Sequence, residues 1–169
     1  MTHRPTETPG PRPSQARDYA AGIYGSIVAT AIVGALRETD ATAGEMTVSV
    51  LATMVVFWLA HTWAAISGER IEAGRALPRQ RVRALASEEW PMVEAGFGPV
   101  LALVLGWTGV LDEDVAATIA LAIGVIQLFS WGFLLGRRIY DRWLGAVLSG
   151  LANGLLGIGL VALEIAVSH

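Results

Sequence analysis

Residues 46–67 read MTVSVLATMVVFWLAHTWAAIS, an uncharged run interrupted only by small hydroxyl residues and by His61, which stands between Trp58 and Trp63. An uninterrupted apolar stretch of about 20 residues is the length that crosses a hydrocarbon core of about 30 Å as a helix. Four further stretches share this character, at about Tyr19–Leu36, Pro91–Leu111, Val115–Gly136 and Trp143–Val167. The composition agrees. Of the 169 residues 53% are hydrophobic and only 16% charged, and the mean hydropathy is +0.51, whereas soluble domains carry about a quarter charged residues. The sequence therefore predicts an all-α, polytopic membrane helix bundle with five transmembrane helices.

Orientation follows from the arginines, which make up all twelve basic residues. Arg4, Arg12 and Arg17 precede the first stretch; Arg70, Arg75, Arg79, Arg81 and Arg83 follow the second; Arg137, Arg138 and Arg142 follow the fourth. The opposite side holds only Arg37, beside Glu38, Asp40 and Glu45, and then Asp112–Asp114. Basic loops stay in the cytoplasm, so the amino terminus is expected inside and the carboxyl terminus outside, in a bacterial plasma membrane. Residues 1–18, with four prolines, read as a disordered cytoplasmic tail. An arginine-containing tail, an apolar run and ATA at 41–43 also resemble a signal peptide, but this run is longer than the usual 7 to 15 residues and more spans follow it.

The sizeable loop is residues 68–90, GERIEAGRALPRQRVRALASEEW. Pro78 is expected to break or restart its helix, and Val82, Leu85 and Ala86 give the second part an apolar side. Such a segment either lies as a solvated basic loop or binds anionic lipid headgroups. Small residues line two spans: Gly132 and Gly136 in the fourth, and Ala146, Gly150 and Gly154 in the fifth, each four residues apart. They predict close helix contacts, within one chain or across a homodimer. Pro99, beside Gly96 and Gly98, is expected to loosen the third span.

With no cysteine, thiolate chemistry and disulfides are excluded. No P-loop, dinucleotide fingerprint or nucleophile elbow is present, so neither an enzyme nor a nucleic-acid binder is expected. The chemistry must come from polar groups at membrane depth, where they are costly and tend to be functional. His61 lies about six residues, or roughly 9 Å, from the inner end of its span, and Glu94 about one turn into the next. Glu69 follows His61 by eight residues on broadly the same face, with Glu72, Glu88 and Glu89 nearby. His61, Glu69 and Glu94 are thus candidates for proton handling or for binding a divalent cation carried as substrate, with no resident cofactor required. A satisfied structural imidazole is the competing reading of His61, and snorkelling to water that of Glu94. Gln127 and Asn153 are secondary polar candidates whose simplest role is bonding between helices. Two functions stay open, a transporter or channel for protons or a divalent metal, and a non-transporting scaffold that holds a partner through its glycine faces and arginine loop.

AAISGERIE at 64–72, with Gly68 and Glu69, and more loosely YGSIVAT at 24–30, are similar to the junction and first helix of the vacuolar iron transporter family, whose five-span layout the chain also resembles. That resemblance implies a dimer exchanging protons for ferrous iron or manganese. The Asn-Asp-Gly pattern that supplies an intramembrane acid in the first helix of that family is absent, since Tyr24, Gly25 and Ser26 stand here and no acid follows until Glu38.

Overall fold

A computed structural model describes residues 13–140 and 142–167. The chain forms α1 (Pro13–Arg37), α2 (Ala43–Ala73), α3 (Arg79–Glu88), α4 (Pro91–Trp107), α5 (Glu113–Ile139) and α6 (Trp143–Val167), with no strand among the described residues. The expected tail is helical from Pro13 onward, and residues 1–12 lie outside the described part.

Local chemistry sets most of these boundaries. Thr42 accepts from the Glu45 amide while the Glu45 carboxylate accepts from the Thr42 amide, a reciprocal cap that starts α2. Gly74, at φ 61°, ends it in the left-handed conformation that costs glycine nothing. In between, α2 runs for 31 residues, past the expected end at Ser67. Asp112 accepts from the amides of Asp114 and Val115 and so caps α5. Pro78 precedes α3, and Pro91 opens α4, where a missing N–H leaves nothing unpaired. Pro99 is buried within α4, which continues as one helix through it to Trp107.

The helix α1 is central, packing against α2, α4, α5 and α6. Its core face meets Val50 and Met54 of α2, Ala102 and Leu103 of α4, and Ala117, Ala120 and Leu121 of α5 through Ala29 and Val33. The backbones come unusually close: a Cβ on Gly25 would collide with the carbonyl of Met92, and one on Gly124 with the hydroxyl of Thr30. The small-residue rows of the last two helices face each other. Asn153 fills the space over Gly132, a Cβ on Gly136 would sit 2.7 Å from the Cα of Ala146, and Gly150 and Gly154 abut Phe129. These rows are therefore used within the chain.

The outside of the bundle is apolar. Val56, Leu59, Leu101, Ile126, Leu148 and Leu155 are all exposed, the pattern of helices that face hydrocarbon. Asp18–Arg37, Ala43–Ala73 and Glu113–Ile139 are each long and apolar enough to cross a membrane, and α3 with α4, bent by 41°, makes a fourth if the pair is one crossing. Trp143–Gly159 is a shorter apolar helix, and the side chains of several residues after it lie outside the described part. The chain has the make-up of an integral membrane protein, with three to four candidate spans by length where the sequence predicts five. The third expected span comes out short for a local reason. Val110 and Leu111 are apolar, but their amides turn back onto the carbonyl of Leu105 after Gly109 adopts φ 74°, which leaves a helix of 17 residues.

Charge is divided between the two ends. The Ala43 amide donates to Glu113 at 3.2 Å, joining the starts of α2 and α5 at an end that also holds Glu38, Asp40 and Asp112. At the other end Arg137 lies 4.9 Å from the ring centre of Trp143, and Arg138 lies 5.4 Å from that of Tyr19.

Close packing yields a paired prediction. Gly25→Ala should destabilise the protein by about 1–3 kcal/mol because a backbone carbonyl cannot yield as a side chain can. Gly68→Ala, which meets nothing within 4 Å, should stabilise by up to about 1 kcal/mol through helix propensity. Thermal unfolding of both variants in detergent micelles measures the two signs together.

Candidate functional site

His61 sits on α2 facing α1. Its Nδ1 lies 3.0 Å from the Phe57 carbonyl. A carbonyl can only accept, so in the neutral ring Nδ1 carries the proton and Nε2 keeps the lone pair. The ring lies 5.2 Å from that of Tyr24, centre to centre, and Tyr24 in turn stands edge-on to Phe57 at 5.9 Å. Ala20, Ala21, Tyr24, His61, Glu89 and Met92 line an open cavity of about 330 Å³.

The acid in that cavity is Glu89. It reaches the cavity because the corner between α3 and α4 is pinned to α2. Trp58 Nε1 donates to the Ala86 carbonyl at 2.9 Å, and the Trp58 ring meets that of Trp90 edge-on at 5.6 Å. Farther out, Arg81 Nε donates to both Glu69 oxygens at 2.8 and 3.0 Å, and another of its guanidinium nitrogens donates to Glu88 at 3.0 Å. The Glu69 carboxylate, and then that of Glu88, hold the guanidinium above its already high ordinary pKa. The planar fork matches two oxygens at once.

The three residues singled out from the sequence are thus divided. His61 lines the cavity; Glu69 is engaged by Arg81; Glu94 is exposed on α4 and is not among the described residues lining the cavity. Among the described residues no group of three or more His, Asp or Glu is arranged to hold a metal ion. Tyr24, which meets the His61 ring, was not singled out from the sequence, and Glu89, which shares the cavity, was named there only among the carboxylates near Glu69. The available signal was the pair Glu88–Glu89 directly before Trp90–Pro91, where a helix must restart and redirect its last side chains.

Deeper groups are mostly satisfied locally. Ser26 donates to Gly22, Thr30 to Ser26 and Asn153 to Ser149, all carbonyls one turn back on the same helix. Gln127 lies beside Gly98 with its Oε1 buried and unpartnered, and Thr62, next to His61, has a buried hydroxyl without a partner. Beyond the cavity lie apolar core residues such as Ala29, Val33, Met54 and Leu103, with the hydroxyls of Ser26 and Thr30 donated to carbonyls of their own helix. A second concavity of about 280 Å³ between α5 and α6, around Phe129, Leu151 and Ile158, is wholly apolar and carries no ionisable group.

Comparison with family models, curated proteins and solved structures finds no match for the chain.

The Arg81 fork should govern how firmly α3 is held. Both carboxylates keep about a third of their surface or less, and Arg81 keeps 36%, so solvent screening limits the contribution to about 1 kcal/mol or less for each pair. Arg81→Ala should raise amide hydrogen exchange in residues 79–88 several-fold and leave α5 unchanged, as read by mass spectrometry. Equal rates in the two proteins would show that the Trp58 contacts alone hold the corner.

Proposed function

We propose that the chain is a multipass protein of the bacterial plasma membrane that moves protons by way of the His61 cavity, with its arginine-rich end in the cytoplasm. The observation that carries this reading is an imidazole with its Nε2 lone pair available, sharing an open cavity with the carboxylate of Glu89. Both groups change charge by gaining or losing a single proton. A divalent metal is less well served, since it takes several oxygen or nitrogen ligands and no such cluster is formed among the described residues. The mostly apolar core around Ala29, Val33, Met54 and Leu103 supports a carrier over a standing channel. The orientation rests on the arginine distribution, and the five-span topology on counting α4 and α6 as crossings, which an inside amino terminus and an outside carboxyl terminus require.

A second reading has its own observation. Arg70, Arg75, Arg79 and Arg83 are exposed on α2, the following turn and α3, while the Trp58 contacts and the Arg81 fork hold α3 in place. A fixed basic surface of this kind suits a scaffold that rests on anionic headgroups or docks an acidic partner.

Proteoliposomes enclosing a pH-sensitive dye separate the two. Under an imposed potential the protein should acidify or alkalinise the lumen, His61→Ala and Glu89→Gln should each cut the rate about tenfold or more, and Glu94→Gln should leave it near that of the parent. Absence of flux in the parent protein would favour the scaffold.

A further inference from the structure

Resting on the proton-handling reading above, we infer that the His61 cavity takes a monovalent organic cation, held by the Glu89 carboxylate and the Tyr24 ring and exchanged against the proton of His61. The lining chemistry selects this class. One carboxylate, one phenol and one imidazole stand among Ala20, Ala21 and Met92. An anion would meet the charge of Glu89. A sugar or other polyhydroxy compound would lose more hydrogen bonds to water than three polar groups return. A small inorganic cation would shed its hydration for too few ligands. An organic cation spreads its charge under an apolar surface, so alanine and methionine can cover it while one aromatic ring and one carboxylate recognise the charge.

Size and charge balance point the same way. About 330 Å³ lies at the lower end of the range of about 300–1,000 Å³ usual for small-molecule sites. Tyr24 is held by ring contacts on two sides, with Phe57 and His61, and still keeps 38% of its surface exposed. Glu69 and Glu88 are drawn to Arg81, whereas Glu89 has no ion pair among the described residues and is available as a counter-charge.

The coupling follows from sharing. Among the described residues, the titratable groups lining the cavity are Tyr24 from α1, Glu89 from the corner of α3 and α4, and His61 itself, whose Nδ1 is engaged by the Phe57 carbonyl of its own helix. With His61 protonated, its positive charge occupies the field of Glu89 and opposes a second cation. When Nε2 releases its proton to water, one positive charge leaves and one organic cation can enter, so the net charge of the site is unchanged.

Tetraphenylphosphonium binding to the full-length protein in detergent, measured by titration calorimetry against micelles alone, tests this. Binding at pH 8 should weaken about tenfold at pH 5.5, where protons compete with the cation for the site. At pH 8, Glu89→Gln should weaken binding about tenfold, Tyr24→Leu about threefold to tenfold, and Glu94→Gln not at all. His61→Asn should bind at pH 8 but lose the difference between the two pH values. No binding by the parent protein at pH 8, full binding by a well-folded Glu89→Gln, or a pH difference that survives in His61→Asn would overturn the proposal. His61-dependent proton flux in vesicles without tetraphenylphosphonium binding would leave the proton reading and remove the substrate class; binding with no proton flux even when tetraphenylphosphonium is supplied to one side of the vesicles would do the reverse.

Discussion

Lipid tails are as apolar as leucine, so a bilayer supplies little hydrophobic force between helices, and a bundle must hold itself by close packing. In this protein that constraint falls on α1, whose Gly25 meets the backbone of α4 at Met92, whose Gly22 lies under the Trp131 ring of α5, and whose Thr30 side chain fills the space at Gly124 of α5. Two of the contacts run in opposite directions: Gly25 of α1 receives the Met92 carbonyl, and Gly124 of α5 receives the Thr30 side chain. Tyr24 and Met92, neighbours of this seam, are both walls of the His61 cavity. The site is thus a by-product of packing in one sense, because the position of its aromatic wall follows from the absence of a side chain next door.

The other wall depends on the corner between α3 and α4. The 41° bend there would otherwise be a loose joint, but an indole–carbonyl hydrogen bond, an edge-on tryptophan pair and the Arg81 fork attach it to the long helix α2. Carboxylates on this corner therefore have unlike surroundings. Glu88 binds an arginine, and the next residue, Glu89, lines the cavity that His61 also lines. A difference of one residue in helical backbone turns the side chain by about 100°, enough to send the two in different directions.

This explains what could be read beforehand. Helices and their packing stripes are periodic, so Gly132, Gly136, Ala146, Gly150 and Gly154 announce a contact face before any partner is known; the structure adds that α5 and α6 are each other's partners. The restart at Pro78 was legible from the proline. Span length was not, since hydropathy counts Val110 and Leu111 as membrane while their amides close a turn. Nor was the acid facing His61. Depth along the helices favours Glu94, but depth says nothing of azimuth, and the bend and the Trp58 contacts present Glu89 instead.

The central claim is a water-accessible cavity at the arginine-rich end, closed off by an apolar layer. Because the chain contains no cysteine, single cysteines can be introduced without background and probed with a membrane-impermeant maleimide. In inverted membrane vesicles, Ala20→Cys and Glu89→Cys should label readily and Val33→Cys, at a fully buried position, should not, and in intact spheroplasts none of the three should react. Labelling of position 20 from the spheroplast exterior, or of position 33 from either side, would contradict the account.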